Sequence, residues 1–270
     1  VYRHAVNELG NVLTMNFGDL FIANFEQGLL KMDVSGGESD AHWSPEGPPV
    51  ALVRNVEAWN DNVWVASGGI DETWTSMYHK HGFYGMSGMR WNWIPNQPGF
   101  NDLEGINDPM VVSVDPTNPL HAYFGSWEEG LIEIENNELI AIYNESNSTL
   151  ELGNFGGSPR VGVGGVDFDR FGNLWFTNAY SDAPLHVRLK DGEFVQMALG
   201  NALGNTGWLG DVMAARNGYI WCVMPRGQGV LVYDTNQTPS NTQDDDWRIL
   251  TSDPSKGGLP SDDIYCFEED

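Results

Sequence analysis

A short acidic connection near the end of the chain concentrates oxygen ligands. The segment "DTNQTPSNTQDDD", residues 234–246, contains five side chains suited to a hard cation: Asp234, Asn236, Asp244, Asp245 and Asp246. Calcium takes six to eight oxygen ligands, so this loop is a candidate calcium site, although we expect no cofactor to be required. The spacing departs from an EF-hand loop, because the required Gly and terminal Glu are missing. A solvated acidic loop is therefore the alternative.

The stretch "DETWTSMYHKHGFYGMSGMRWNWIPNQPGF", residues 71–100, is rich in Met and aromatic residues. Trp91 and Trp93 alternate along it, so on a strand both rings would face the same side. Two rings on one face form a platform on which the apolar face of a sugar can stack. Tyr84 and Trp74 from the same stretch are further candidates for this ligand site. The alternative is hydrophobic core beneath a capping loop.

Two histidines and two cysteines are candidate reactive groups. His79 and His81 would share a face on a strand and could bind one metal ion, but the spacing supplies no third ligand. Surface-loop histidines are the alternative. Cys222 and Cys266 lie in apolar, strand-like runs, and either two buried thiols or a disulfide fits the sequence. The chain has no Gly-x-Ser-x-Gly elbow, Walker loop or Cys/His zinc cluster, so we expect a non-enzymatic protein.

Composition narrows the class of protein further. Of the 270 residues, 41% are hydrophobic and 12% aromatic, so the chain should fold around a core. The formal net charge of −25 would repel phosphate backbones, which excludes nucleic acid as an expected partner. No stretch of about 18 apolar residues is present, so no membrane-spanning segment is predicted. The chain opens at Val1 without a signal peptide, which is typical of a mature or trimmed product.

The elements that position these residues repeat along the chain. Each repeat has a Gly/Asn/Asp turn followed by a short strand with an aromatic anchor, as in "FDRFGNLWFTN". The aligned anchors are Phe21, Trp64, Tyr123, Trp175 and Trp221, at separations of 43, 59, 52 and 46 residues. A period of roughly 40 to 50 residues is typical of four-stranded propeller blades. The sequence therefore predicts an all-β propeller with about five visible repeats, whose anchor rings fill the space between neighbouring antiparallel sheets.

The final segment, "GLPSDDIYCFEED" at 258–270, reads as the first strand of another repeat. Five repeats and a remnant are fewer than the six to eight blades of a larger closed ring. We therefore expect residues 1–270 to be one propeller domain that is an incomplete part of a larger multidomain protein. Pairing of the last strand with "VYRHAV" at the start of the chain is the alternative.

Two kinds of resemblance add to this interpretation. "GGLPSDDIYCFEED" and "DFDRFGNLWFTN" resemble the two-component regulator propeller repeat, in which a Leu-Pro-Ser turn precedes a strand and Gly-Asn-Leu-Trp opens the next. "GSWEEGLIEIENNELIAIYNESNSTLE" (125–151) and "PRGQGVLVYDTNQTPSNTQDDDWRILTSDPSKGGLPS" (225–261) resemble the PorZ-like proteins of Bacteroidetes, surface components of the type IX secretion system. Residues 68–105 depart from the ordinary repeat.

The resemblance to PorZ-like proteins implies a function. In that family two propellers precede a C-terminal sorting domain, and the protein acts at the cell surface in an outer-membrane attachment complex. Its implied partners are a sortase and other attachment-complex proteins, together with anionic lipopolysaccharide or another glycan. No site residue is carried over from the family. The alternatives are the periplasmic glycan-sensing region of a hybrid two-component histidine kinase and a propeller-based lyase or glycosidase.

Overall fold

The structure is a computed structural model of the chain. It describes residues 14–16, 19–24, 28–33, 41–43, 47–48, 50–88, 90–96, 103, 105–200, 203 and 208–269. These residues form twenty-two β-strands and one short 3-10 turn, which confirms the all-β prediction. The chain divides into two compact units, Val1–Pro48 and Pro49–Asp270. Across the described ranges we find no helix with the length and apolar character that a membrane span requires.

The described residues of the first unit form one four-stranded sheet, which we call blade one. Its strands are β1 (Thr14–Asn16), β2 (Asp19–Asn24), β3 (Gly28–Asp33) and β4 (Ala41–Trp43). They pair antiparallel in chain order. The predicted anchor Phe21 lies in the second strand, opposite Thr14 on one side and Lys31 on the other. The repeat predicted for this region is therefore present as a blade.

The second unit contains four such sheets, blades two to five, each with its strands in chain order. Blade two consists of β5 (Asn55–Trp59), β6 (Asn62–Ala66), β7 (Phe83–Ser87) and β8 (Arg90–Ile94). Blade three consists of β9 (Pro109–Val114), β10 (His121–Ser126), β11 (Gly130–Glu135) and β12 (Glu138–Tyr143). A two-stranded hairpin follows, β13 (Gly153–Phe155) and β14 (Ser158–Arg160). Blade four consists of β15 (Gly162–Phe168), β16 (Leu174–Ala179), β17 (Leu185–Arg188) and β18 (Phe194–Gln196). Blade five consists of β19 (Val212–Ala214), β20 (Tyr219–Met224), β21 (Gly229–Asp234) and β22 (Asp246–Leu250).

The blades of the second unit adjoin through their first strands and through three of the predicted anchors, whereas the fourth, Trp221 of blade five, is half-buried. Strand β5 lies beside β9, β9 beside β15, and β15 beside β19. Trp64 is buried against blade three, with its ring 5.9 Å from that of Phe124, and Tyr123 is buried against blade four, 5.7 Å from Phe168. Trp175 is buried in a cluster with side chains of blade five. Each such ring removes on the order of 200 Å² from water, about 5 kcal/mol of gross hydrophobic gain.

The segment that follows blade five differs from the prediction. Residues 259–269 contain no strand, so the predicted first strand of a further repeat is wrong for the described residues. The segment contacts blade five through separate hydrogen bonds: the Gly229 N–H donates to the Asp262 carbonyl at 2.9 Å, and the Arg216 N–H donates to the Glu269 carboxylate at 2.8 Å. A strand needs a partner along its length, and these isolated bonds do not supply one.

Candidate functional site

One end of the second unit carries most of the long connections. Consecutive strands of each blade are antiparallel. The first and third strands of every blade therefore start on the side of the unit where the second and fourth strands finish. We call this the entry end. The β6–β7 connection at residues 67–82 lies there, as does the β13–β14 hairpin between blades three and four. Loops held at one end of a rigid β-scaffold are a common location for binding residues.

A continuous row of aromatic rings crosses the entry end from blade two to blade five. The ring centroids of Trp74 and Trp127 are 5.9 Å apart, and those of Trp127 and Phe155 are 5.6 Å apart. The row continues from Phe155 to Tyr180 at 4.4 Å and from Tyr180 to Trp208 at 4.3 Å. The first two separations lie within the range of about 4.5 to 7 Å that aromatic pairs prefer, and the last two lie just below it, so each ring contacts the next. We call these five residues the aromatic belt.

The belt combines one buried ring with four partly open ones. Trp127 is 1% exposed and donates its indole N–H to the Trp74 carbonyl at 3.1 Å. Trp74, Phe155, Tyr180 and Trp208 are half-buried. Four of the rings come from different connections between strands and Phe155 comes from β13, so the contacts hold four loops and the hairpin relative to one another. The result is a supported surface that still offers ring faces to a ligand.

Two guanidinium groups lie over rings of the belt. The Arg226 guanidinium is 4.0 Å from the centre of the Trp208 ring, and Arg226 is exposed. The Arg160 guanidinium is 4.5 Å from the centre of the Phe155 ring. Burial raises the pKa of Tyr180, and the charges of both arginines oppose that rise. The belt therefore places positive charge beside stacked rings in a chain whose net charge is −25.

A polar network holds the connection that carries Trp127. Glu128 forms a salt bridge with Arg160 and accepts a hydrogen bond from the Ser76 hydroxyl at 2.6 Å, which links blade two to the hairpin. Glu129 accepts hydrogen bonds from the Asn107 N–H at 2.9 Å and from a hydroxyl of the same turn. Burial raises the pKa of Glu129. These bonds keep Trp127 in place at the centre of the belt.

A second anchor holds the connection that carries Trp74. The Asp108 carboxylate is fully buried and accepts three backbone N–H groups, from Gly69 at 3.0 Å, Tyr78 at 2.7 Å and His79 at 2.9 Å. All three donors belong to residues 67–82, whereas Asp108 directly precedes blade three. A single side chain therefore satisfies the backbone of this long connection.

The predicted sugar platform is divided between two places. Tyr84, Trp91 and Trp93 share one face of blade two, where Tyr84 lies opposite Trp93 and Trp91 opposite Met86. Trp93 is 47% exposed, whereas Tyr84 is fully buried and donates its hydroxyl to a backbone carbonyl. Trp74 lies apart from them, in the aromatic belt. Sugar binding at Trp91 and Trp93 stays a prediction.

The two histidines lie in the β6–β7 connection and not on a strand, so the shared-face argument does not apply to them. The rings of His79 and His81 are 5.7 Å apart, and His79 Nδ1 is 3.9 Å from the buried Asp108 carboxylate. Among the residues that the structure describes, no group of three or more metal-ligating side chains is found. The described part of the chain therefore supplies no third ligand to the pair.

The acidic residues of 234–246 accept hydrogen bonds from nearby donors. Asp234 accepts the Asn236 N–H at 2.8 Å, and the Asn236 amide in turn donates to the Asp244 carbonyl. The Asp244 carboxylate accepts the Thr238 hydroxyl at 3.0 Å. These bonds are the ordinary stabilisation of polar turns.

The remaining two carboxylates of this loop are engaged in the same way. Asp245 accepts the Tyr233 hydroxyl, and Asp246 accepts the Trp247 N–H at 2.8 Å. Burial and the neighbouring Asp244 and Asp234 raise the pKa of Asp245, although the bond from Tyr233 opposes this. Calcium binding by the loop stays a prediction that the geometry does not favour.

The two thiols are separate. Cys222 is fully buried in β20 and Cys266 is exposed, and both are free, so the disulfide alternative is excluded. Burial raises the pKa of the Cys222 thiol, which disfavours the reactive thiolate form.

Sequence reasoning missed most of the belt. Trp127 and Tyr180 each directly follow the second strand of their blade, Phe155 ends β13 of the hairpin, and Trp208 lies in the connection between blades four and five. An aromatic residue one position after the second strand was a signal available in blades three and four. The sequence contains no signal for which rings contact one another, because those contacts depend on how neighbouring blades pack.

The Asp167 carboxylate, in the first strand of blade four, predicts that the stability of the protein depends on pH. Burial raises the pKa of Asp167 to about 7, and the nearby Glu57 and Asp211 add to that rise. A carboxyl group with a raised folded-state pKa destabilises the protein progressively as the pH rises from its unfolded value, about 4, through 7. Asp167→Asn keeps an acceptor for the Ala214 N–H, now 2.7 Å from Asp167. We expect Asp167→Asn to raise the melting temperature at pH 8 by several degrees and to change it little at pH 4.

The control for this prediction is Asp182→Asn, which makes the same charge change at an exposed position. Thermal melts of the chain and both variants at the two pH values provide the measurement. An equal rise in both variants would show a general effect of net charge, and no rise in Asp167→Asn would refute the prediction.

Four adjoining four-stranded antiparallel blades, with anchor rings packed between them, define the class of fold as a β-propeller. Comparison with solved structures agrees. PorZ, a bacterial surface component of the type IX secretion system of Porphyromonas gingivalis, is similar with a TM-score of 0.66 and 21% identity. The similarity covers 87% of this chain and 33% of the PorZ chain, so this chain spans about a third of that protein's length.

An enzyme shares the architecture at lower similarity. Virginiamycin B lyase from Staphylococcus aureus matches with a TM-score of 0.52 and 12% identity, over 90% of this chain and 71% of the lyase. At these identities both likenesses show the fold alone. No family model matches the chain, and a comparison with curated proteins finds no match.

Proposed function

We propose that the chain is a non-enzymatic, ligand-binding propeller module of a bacterial surface protein that acts in type IX secretion and in the attachment of cargo to the cell surface. The observation that carries this proposal is the aromatic belt, which forms a supported and partly open surface across four blades. The structural similarity to PorZ and the sequence resemblance to PorZ-like proteins support the setting. The proposed location is the outer-membrane surface, with a sortase and other attachment-complex proteins as partners.

The chemistry of the belt favours a glycan with acidic groups, such as lipopolysaccharide, as the ligand. Half-buried rings can stack on the apolar faces of sugars, and the exposed Arg226 can pair with a carboxylate or phosphate. The net charge of −25 opposes the approach of a polyanion. At physiological ionic strength, however, the screening length is about 8 Å, so contacts made directly at the belt can outweigh distant repulsion.

Binding of purified lipopolysaccharide to the chain tests the proposal. Trp208→Ala removes an open ring together with the support for Arg226, and we expect it to weaken binding by about tenfold, equivalent to about 1.4 kcal/mol. Biolayer interferometry with immobilised lipopolysaccharide measures the effect, and a thermal melt verifies that the variant is folded. Trp247→Ala is the matched control, because Trp247 is 38% exposed on β22, outside the belt. Equal binding by the chain and Trp208→Ala would refute the assignment.

A glycan-sensing propeller in the periplasm, belonging to a hybrid histidine kinase, is the alternative function that the same surface fits. The two proposals differ in what the complete protein contains beyond Asp270. A membrane span and kinase domain would favour the sensor, whereas a β-sandwich sorting domain would favour the secretion component. Turnover of a polysaccharide by the purified chain would instead favour a lyase or glycosidase.

A further inference from the structure

A cavity of about 440 Å³ opens at the entry end beside the aromatic belt. It lies between the end of blade three and the β13–β14 hairpin. One wall comes from Ile142 and Glu145, which end blade three and begin the connection, and another from Leu152 and Arg160 of the hairpin region. The turn that contains Glu128 and Glu129 completes the lining. Neither the predicted sugar platform nor the predicted calcium loop includes this cavity.

The charged groups of the cavity are mostly acidic. Glu128, Glu129 and Glu145 contribute three carboxylates, and Arg160 is the single basic residue among the described lining side chains. Arg160 is already paired with Glu128. Glu145 is exposed and forms no salt bridge with any residue that the structure describes, so its charge is available to a ligand. The cavity is therefore complementary to a positively charged group.

The walls of the cavity are aliphatic. Ile106 and Val161 are buried in its floor, Ile142 is half-buried, and Leu152 is 51% exposed at its edge. No aromatic ring lines the cavity among the described residues. Stacking of a sugar or of a flat guanidinium group is consequently not supported there. A flexible methylene chain that ends in a cation fits such walls, because the chain can pack on aliphatic groups while the charge reaches the carboxylates.

We propose that this cavity binds a lysine side chain from a basic segment of a partner protein. The lysine methylenes would contact Ile142 and Leu152, and the ammonium group would donate to Glu145 and to Glu128. Oε2 of Glu128 accepts one long hydrogen bond, from the Asn107 amide at 3.4 Å, and a carboxylate oxygen can accept a second. The net charge of −25 favours the approach of a basic partner. The site does not depend on glycan binding at the aromatic belt.

Methyl NMR of the chain, labelled at Ile, Leu and Val, tests the proposal with small probes. Titration with Nα-acetyl-lysinamide is expected to shift the methyl signals of Ile142, Leu152 and Val161 in a saturable manner. Nα-acetyl-norleucinamide has a similar apolar side chain without the ammonium group, and it should leave these signals unchanged. Equal shifts with both probes would show a merely apolar cleft, and the absence of lysinamide shifts would refute the site.

Two variants connect the binding to the carboxylates. Glu145→Gln should weaken lysinamide binding by about twofold to fivefold, as expected for the loss of one solvent-exposed ion pair. Glu138→Gln makes the same charge change on β12 outside the cavity and should bind as the unmodified chain does. Equal weakening in both variants would attribute the effect to net charge and overturn the proposal. Tighter binding of Nα-acetyl-argininamide than of lysinamide would overturn the choice of lysine.

Discussion

Replacement of Asp108 with Ala is expected to lower the free energy of unfolding by about 3 to 5 kcal/mol, the range seen when one partner of a buried charged network is removed. The Asp108 carboxylate is fully buried and accepts the N–H groups of Gly69, Tyr78 and His79. Without it, three backbone donors of the β6–β7 connection lose their partner inside the protein. The Asp108 carbonyl also accepts the Trp127 N–H at 3.1 Å, so the loss should reach the centre of the aromatic belt.

Urea denaturation measures the stability, and amide hydrogen exchange locates the change. We expect faster exchange at Gly69, Tyr78 and His79 than at the amides of blade five. Asparagine can adopt the backbone φ of +44° at position 108, but its side chain has a single acceptor oxygen. The loss of stability in Asp108→Asn should therefore lie between those of the unmodified chain and Asp108→Ala. Asp71→Ala is the control, since Asp71 lies in the same connection and accepts bonds only at the surface. A loss below about 1 kcal/mol for Asp108→Ala would contradict the role assigned to this residue.

The second large effect is expected at Glu133, where blade three meets blade four. The Glu133 carboxylate accepts the hydroxyl of Tyr123 at 2.7 Å, the hydroxyl of Tyr143 at 2.6 Å and a ring N–H of His121 at 2.8 Å. Burial opposes ionisation, but the bonds from His121, Tyr143 and Tyr123 together lower the pKa of Glu133 to about 2. Glu133→Gln should therefore cost about 3 kcal/mol of stability near pH 5.5.

The pH dependence of this loss follows from the two pKa shifts. The folded-state pKa of Glu133 lies below its unfolded value, so its contribution is present above about pH 4.5 and is lost as the pH falls towards 2. Burial lowers the pKa of His121, but its bonds to Glu133 and Asp115 outweigh this and raise the pKa overall. Its contribution is complete below about pH 6.5 and is lost as the pH rises through the folded-state value.

Urea denaturation at pH 5.5 and at pH 3.5 provides the measurement. The difference between the unmodified chain and Glu133→Gln should be smaller at pH 3.5, where part of the Glu133 contribution has already been lost. Glu138→Gln, on the exposed outer strand of the same blade, should show little loss at either pH. A loss in Glu133→Gln that does not change with pH would indicate a packing defect and would contradict the electrostatic explanation.

The sequence predicted the repeating part of the fold because that part is local. Trp64, Tyr123 and Trp175 recur near the start of the second strand, and each packs against the following blade. The prediction of a strand after residue 258 was wrong because strand formation there is not decided locally. Its apolar pattern resembles a first strand, but pairing depends on a neighbouring strand that the pattern itself does not specify.

The candidate site was harder to predict because it is made by contacts between blades. Trp127 and Trp208 are far apart in the sequence, and no period relates them. Trp74 is a predicted ligand residue because it lies in a stretch rich in Met and aromatic residues, and the structure places it at one end of the belt. Trp91 and Trp93 do share a face, as their alternation predicted, but that face belongs to blade two and is separate from the belt.

Fluorine NMR of the chain labelled with 5-fluorotryptophan most directly tests whether the aromatic belt is the ligand surface. The chain has 11 tryptophans, and single Trp→Phe variants assign their signals. On addition of the delipidated polysaccharide of lipopolysaccharide, we predict that the signals of Trp74, Trp127 and Trp208 shift while that of Trp247 stays unchanged. Shifts confined to Trp91 and Trp93, or no shift at a polysaccharide concentration that saturates binding, would contradict the belt as the binding surface.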